Sequence, residues 1–286
     1  MTRVAVGQLC STPNVNRNLE ICQSIIKRAA SVGCKLLWLP EASDFIANTA
    51  DVERLCEALE SSKFVKGITQ QAKESQIWVG VGVHEQGRVD KRCFNSNLLI
   101  SPEGDLAEAY RKVHLFDVDI KGGAQILESK TTIRGDRLPK VIPTSAGKVG
   151  MQTCYDLRFP EGSLLLRERG AEILTYPSAF TLKTGAAHWE TLLRARAIET
   201  QTYVLAPAQI GSHTATRQSF GHAMIVDPWG TIVAQAGDRA PRSEDPVEKQ
   251  GTFAMADIDL EWLETIRRDM PLWQQRRSDV YSLNEL

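Results

Sequence analysis

Leu36-Leu37-Trp38-Leu39-Pro40-Glu41 decides how this chain is read. Four apolar residues in a row, closed by proline and a carboxylate, are too short for a helix and do not alternate with polar residues. They read as a short strand buried on both faces. Upstream, Arg3-Val4-Ala5-Val6-Gly7-Gln8-Leu9 reads the same way, and Leu19, Cys22, Ile25, Ile26, Ala29 and Val32 mark one face of a helix between the two. Strand–helix–strand is the opening of an α/β fold.

Working outward, a second helix is expected near 51–74, then a buried strand in Ile77-Trp78-Val79-Gly80-Val81-Gly82-Val83. Two hairpins follow with near-identical turns, Ser101-Pro102-Glu103-Gly104 and Asp227-Pro228-Trp229-Gly230. Proline early and glycine last suit a type I turn followed by a left-handed residue, and the resemblance hints at two similar half-sheets. A strand at 147–154, a helix from 161, a strand at 171–176, a long helix near 186–201 and a strand at 203–209 continue the alternation. Residues 112–138 show little periodicity, and a loop that long in a compact domain is usually functional. Residues 238–250 are charged and contain proline, and read as a solvated excursion. Nothing resembles an interdomain linker, so residues 1–286 read as a single domain.

Composition narrows the function classes. The 286 residues are 42% hydrophobic and 24% charged, as in an ordinary globular chain with a large core. A net charge of −1 offers no basic field for nucleic acid or anionic lipid. No apolar run approaches membrane-spanning length, and no secretory leader precedes the first strand. The cysteines at 10, 22, 34, 56, 93 and 154 form no CxxC pair and no zinc-site spacing with histidine. Such scattered thiols suggest a reducing, cytoplasmic setting. An alternative start carrying a mitochondrial address would leave no trace in these residues.

Candidate chemistry begins at Cys154, in Gly150-Met151-Gln152-Thr153-Cys154-Tyr155-Asp156-Leu157-Arg158-Phe159-Pro160-Glu161, where a buried strand ends in a thiol and a proline opens a helix. A helix N-terminus lowers a thiol pKa from about 8.5 toward ~3.5–7.5, the range of nucleophilic cysteines. Read alone, a buried cysteine is more often a small core hydrophobe. Glu41 ends an apolar strand, at the edge where open α/β sheets bind ligands, and desolvation there would raise its pKa toward that of a general base. Alternatively it is a capping or solvated glutamate. Lys112 ends the second hairpin strand; a fixed ammonium there would stabilise an oxyanion, although surface lysines are the commoner case. Glu128, in the irregular loop, would orient a water or steady the ammonium, or else lie exposed. His114 has no second signature for a Cys–His pair and reads as structural or peripheral. Gly-x-Ser-x-Gly, P-loop and Gly-x-Gly-x-x-Gly patterns are absent, so serine hydrolase, NTPase and dinucleotide chemistry lack support.

Together, Glu41 after an apolar strand, Lys112 in Tyr110-Arg111-Lys112-Val113-His114-Leu115-Phe116-Asp117 and Cys154 in Cys-Tyr-Asp-Leu-Arg-Phe-Pro-Glu resemble the Glu-Lys-Cys triad of the nitrilase superfamily of carbon–nitrogen hydrolases. The similarity runs from residue 3 to about 282, and the family's second glutamate falls at Glu128. The resemblance implies a four-layer α-β-β-α sandwich and a homodimer, with a C-terminal tail from about 270 (Leu272-Trp273-Gln274-Gln275-Arg276-Arg277) crossing to the partner. It implies amide hydrolysis through a thioester on Cys154, with Lys112 and the backbone N–H of Tyr155 holding the oxyanion, and neither metal nor other cofactor. Tyr176-Pro177-Ser178-Ala179-Phe180-Thr181, Thr184-Gly185-Ala186-Ala187-His188-Trp189-Glu190 and Ser219-Phe220-Gly221-His222 place the chain in the Nit branch. Met151-Gln152-Thr153 stands there in place of the more usual aliphatic run. The implied substrate is a small amide, foremost deaminated glutathione, an α-keto acid amide with two carboxylates, with Arg158, Phe180 and Thr184 as candidate contacts. Arg158 would alternatively pair with Glu161 or Asp156 as scaffold. ω-Amidase action on 2-oxoglutaramate, nitrile hydrolysis and a catalytically silent scaffold are the rivals.

Overall fold

The computed structural model describes residues 1–87, 92–119, 125–242 and 244–281. In the strands Thr2–Leu9 and Leu36–Trp38 successive side chains enter different cores: Val4, Val6, Leu36 and Trp38 face one apolar cluster, while Ala5, Leu9 and Leu37 face another. That period of two is why these segments read as unbroken apolar runs; both faces are dry. The outer core is closed by the helices Val15–Ser31 and Lys63–Ser75 through Ile21, Ile25, Ile26, Phe64 and Ile68. The inner core is shared with a second sheet, whose far side carries the helices Pro160–Glu168 and Leu182–Thr200 through Leu166, Trp189, Leu193 and Ala197. The layers are therefore helix, sheet, sheet, helix, the expected four-layer α-β-β-α sandwich.

The two hairpin turns mark two equivalent halves. In the first sheet Thr2–Leu9, Leu36–Trp38 and Trp78–Gln86 run parallel, followed by antiparallel Cys93–Ile100 and Leu106–Arg111. In the second, Gly147–Met151, Ile173–Thr175 and Tyr203–Ala206 run parallel, followed by antiparallel Met224–Val226 and Ile232–Gln235. Their turns match bond for bond. Gly104 N–H donates to Ser101 O at 3.0 Å and Gly230 N–H to Asp227 O at 2.9 Å, with φ of 88° and 86° at the glycines. Positive φ at that position is the reason for glycine in both.

Several expectations need correction. The region near 51–74 is two helices, Thr49–Leu55 and Lys63–Ser75, because Ser62 caps a new helix with its side chain. The helix expected from 161 is preceded by a 3₁₀ turn, Cys154–Arg158, with Pro160 in the first turn of the α-helix that follows. The strand expected at 203–209 is two strands on either side of Pro207. Tyr203–Ala206 belongs to the second sheet and Ala208–Ser212 to the first, where it pairs with Thr2–Leu9. One chain segment thus stitches both sheets together beside the site. The loop 112–138 is less irregular than its sequence: Asp117–Asp119 pairs with Gln125–Leu127, and Glu128–Lys130 forms a 3₁₀ turn, although 120–124 lie outside the described residues. The 238–250 stretch contains a 3₁₀ turn, Val247–Lys249, and its Ser243 lies outside the described residues. The cysteines are not all isolated either. Folding brings Cys93 to Cys56 as a disulfide with Cα atoms 6.7 Å apart, leaving Cys10, Cys22, Cys34 and Cys154 free.

The parallel strands point their C-terminal ends at one edge, and there two stretches of backbone pack tightly together. Gly82 lets this happen: a Cβ built on it would sit 2.5 Å from Glu41 Cα and 2.8 Å from Pro40 O. Both obstacles are backbone, so a side chain must displace the turn that carries Glu41. Gly82→Ala is expected to lower kcat/KM by about 100-fold, because a misplacement of about 1 Å costs that much, while far-UV circular dichroism stays native. Undiminished turnover would show that the turn has room to move.

Candidate active site

Four of the predicted residues, Glu41, Lys112, Glu128 and Cys154, meet at this edge. Glu41 follows the Leu36–Trp38 strand in a turn held by Gly82 N–H to Pro40 O at 3.1 Å and Ser43 N–H to Gly82 O at 2.8 Å, with Ala42 at φ 54°. Gln209, from the stitching strand, donates its side-chain amide to Glu41 O at 2.9 Å and to Ser11 Oγ at 2.7 Å. Lys112 comes one residue after Leu106–Arg111 and is 2% exposed. Its ammonium donates to Glu41 Oε1 at 3.0 Å and to both oxygens of Glu128, at 3.1 and 2.9 Å. Glu128 is therefore half-buried beside the ammonium, and the Phe116 N–H donates to its Oε2 at 2.7 Å.

Cys154 opens its 3₁₀ turn with φ 46°, a left-handed backbone that is costly for a residue with a Cβ and is held by its surroundings. Its own N–H is spent on Pro177 O at 3.1 Å. The clamp is Asp156, fully buried, which accepts from Thr153 N–H at 2.9 Å, Tyr110 Oη at 2.7 Å and His114 N–H at 3.1 Å, with His114 Nδ1 at 2.8 Å. Tyr110 and His114 flank Lys112 by two residues on either side. One carboxylate thus fastens the nucleophile turn to the strand end that presents the ammonium. His114 is structural, as expected, and also stacks on Phe159. Gln152, the polar departure from the aliphatic run, is buried with Ser163 Oγ at 2.6 Å and Tyr176 Oη at 2.7 Å from its Oε1.

The charges differ from both expectations drawn for the acid and the thiol. Burial alone would push the Glu41 carboxyl up, but the Lys112 charge and hydrogen bonds from Cys154, Asn95 and Lys112 outweigh it and hold it below the ordinary carboxylate value. Glu41 is ionised. Burial, and then the Glu41 charge, push the Cys154 thiol well up, more than Lys112 and the Ala179 N–H pull it down. The expected helix-N-terminus thiolate is absent at rest, because burial and the neighbouring Glu41 charge outweigh the pull of Lys112. Burial opposes the charge on Lys112 too, yet Glu128 and Glu41 raise its pKa well above normal. The resting arrangement is a neutral thiol beside a carboxylate base and a permanent cation. Such a set can take the thiol proton as the sulfur attacks a carbonyl.

Two participants escaped the sequence reading. Asn95 donates its amide to Glu41 Oε1 at 2.7 Å and to Glu128 Oε1 at 3.1 Å. The Ala179 N–H donates to Glu41 Oε2 at 2.9 Å. The first had a signal, the polar run Asn95-Ser96-Asn97 inside an otherwise apolar strand; a backbone donor leaves none.

Around this centre, Tyr155 packs edge-on against Phe116 and Phe159. Phe180 is buried against Trp189. Arg158 lies over the rings of Tyr155 and Phe180, each 5.6 Å to centroid, and both its Nη atoms approach His188 Nδ1 at 3.2 Å. The scaffold alternative for Arg158 fails: Asp156 is fully engaged elsewhere, and neither it nor Glu161 pairs with the guanidinium. Thr184 sits in the first turn of the Leu182–Thr200 helix, where its Oγ1 meets the capping Thr181 Oγ1 at 2.9 Å.

Known proteins share this architecture. The carbon-nitrogen hydrolase family pattern matches residues 3–268. Deaminated glutathione amidase of Homo sapiens is 46% identical over 283 residues, 97% of this chain and 83% of that one. The crystal structure of the C. elegans NitFhit protein superposes with a TM-score of 0.90 at 40% identity, covering 99% of this chain and 66% of that longer one. Saccharomyces cerevisiae Nit3, described as a member of branch 10 of the nitrilase superfamily, superposes with a TM-score of 0.82 at 31% identity over 96% of both chains. A match of this extent in sequence and backbone makes the chain a member of the carbon–nitrogen hydrolase family, within the nitrilase superfamily.

Proposed function

We propose that this hydrolase cleaves the amide bond of deaminated glutathione to 2-oxoglutarate and cysteinylglycine through a thioester on Cys154. The observation that carries the chemistry is the ion pair of Glu41 with the Lys112 ammonium at 3.0 Å, set in a buried pocket with the neutral Cys154 thiol close enough for each to shift the other's protonation. Sulfur attacks the amide carbonyl as Glu41 takes the thiol proton. Lys112 and the N–H of Tyr155 receive the negative charge that develops on oxygen, and preorganised donors of this kind contribute about 10²–10³ each in rate. Glu41 then delivers the proton to nitrogen as the C–N bond breaks and the amine departs. Water, deprotonated by Glu41 and placed beside Glu128, adds to the thioester; the C–S bond breaks and the sulfur regains its proton.

The choice of substrate rests on the 46% identical human amidase and on Arg158. Its guanidinium makes no ion pair with any carboxylate of the described residues and lies over Tyr155, next to the nucleophile, and Phe180, next to the Ala179 donor. A two-pronged donor offered only the single nitrogen of His188 is suited to a substrate carboxylate, which would match both prongs. Phe180 and Thr184 would border the same pocket. The family's homodimer is part of this proposal. Ile198, exposed on the Leu182–Thr200 helix, lies over Gly230, and exposed Trp229 projects from the adjoining hairpin tip, a joint apolar surface of the kind a partner covers.

Three outcomes are expected. Cys154→Ser leaves a folded protein with no turnover, while the wild type soaked with deaminated glutathione gains a thioester mass on Cys154; an active serine variant would end the mechanism. In a panel of amides, kcat/KM for deaminated glutathione exceeds that for 2-oxoglutaramate and for simple nitriles, and Arg158→Met lowers it by about 10–100-fold, the order expected for a charge-assisted pair. A higher value for 2-oxoglutaramate would reassign the substrate. Sedimentation equilibrium gives twice the 31.8 kDa chain mass, and Trp229→Glu shifts it toward the single-chain value.

A further inference from the structure

We propose that Asn95 is a positioning residue for the amide hydrolysis assigned above, its side-chain amide bridging Glu41 and Glu128 opposite the Lys112 ammonium so that the base stays aimed at Cys154. The proposal rests on that reaction for its kinetic readout, but not for its geometry.

The four groups close a ring. Glu41 Oε1 accepts from Lys112 Nζ at 3.0 Å and from Asn95 Nδ2 at 2.7 Å; Glu128 Oε1 accepts from the same two donors, at 3.1 Å each. Two carboxylate oxygens that would repel each other are held together by one cation and one neutral amide. A single ammonium has three protons, and here they are divided among three oxygens of two acids. The amide supplies the remaining donors without adding charge, so the pair keeps its net negative character and the thiol keeps its proton until attack. The backbone takes part as well: Asn95 O accepts from Lys112 N–H at 2.9 Å, so one residue sets the start of the lysine and the far ends of both acids.

Asn95 differs from an asparagine that merely fills a core. Two residues along the same strand, Asn97 is satisfied at both ends, accepting from Trp38 Nε1 at 3.0 Å and donating to Gln152 O at 3.1 Å. Asn95 is 9% exposed, and its Oδ1 has no hydrogen-bond partner among the described residues. A buried acceptor left open is unusual in a structural amide. It follows here from the charges, since turning the amide over would aim a third oxygen at two carboxylates. The charged groups that Asn95 meets are Glu41, Glu128 and Lys112, with Cys154 reached through Glu41. His84, opposite it across the strand pair, is engaged by Asp44 at 2.9 Å.

Asn95→Asp keeps the size and Asn95→Leu the branching at Cγ, and both remove the donor. Both are expected to lower kcat by about 10–100-fold, as loss of an orienting partner does, with KM nearly unchanged. Both are also expected to move the acid limb of kcat/KM to higher pH, because Glu41 loses a donor that favours its ionised form. Loss of packing alone would lower the amount of folded enzyme and leave the limb in place. The pH dependence of Cys154 alkylation by iodoacetamide, followed by mass spectrometry, reports the base–thiol pair with no assumption about substrate and should shift in the same direction. An unmoved limb in the alkylation profile of either folded variant overturns the proposal. A shifted alkylation profile together with no hydrolysis of deaminated glutathione by the wild type would instead indict the substrate assignment alone.

Discussion

Everything in this site depends on one ammonium held between two acids. Removing an ion from water costs several kcal/mol unless partners and hydrogen bonds replace the lost hydration. Lys112, 2% exposed, recovers that cost from three carboxylate oxygens. The same contacts leave more negative than positive charge in the pocket, and this excess decides the chemistry. The cation keeps Glu41 and Glu128 gathered, while burial and the Glu41 charge make a resting thiolate unfavourable. A cysteine hydrolase can therefore work without histidine: the carboxylate is already a base, and the sulfur is uncovered only as it reacts.

The fold serves that arrangement by supplying rigid edges. Each sheet brings parallel strands to a common rim, and the stitching strand around Pro207 joins the rims. Gln209 and Gly82 fix the Glu41 turn from two directions, and Asp156 ties the Cys154 turn to the strand that ends in Lys112. None of these supports needs to touch a substrate. They hold a strained backbone at Cys154 and a left-handed one at Ala42, conformations that an isolated loop would not keep.

Where the reading from residues went astray, it treated each group by itself. A lone buried carboxyl goes up in pKa, and a lone cysteine at a helix start goes down. In the folded pocket both move the other way: the Lys112 charge leads the pull that lowers Glu41, and burial with the Glu41 charge raises Cys154. The Arg158 scaffold pairing failed for the same reason, since Asp156 was already committed to Tyr110 and His114, groups far away in the chain. The 51–74 helix split because a capping serine competes with continuous periodicity.

The sequence by itself carried the strand–helix alternation, a hint of two similar half-sheets and the motifs around Glu41, Lys112 and Cys154, while the four layers followed only from the family resemblance those motifs bear. Apolar runs, helical stripes, paired Pro–Gly turns and motif order are local properties that survive in a one-dimensional string. Only the tertiary structure decided which atoms share protons. The Asn95 bridge, the Ala179 donor, the Asp156 clamp and the Cys56–Cys93 pair join residues separated by dozens of positions. Protonation in a dry pocket is set by distances of about 3 Å between such groups, and those distances do not exist until the sheets have packed.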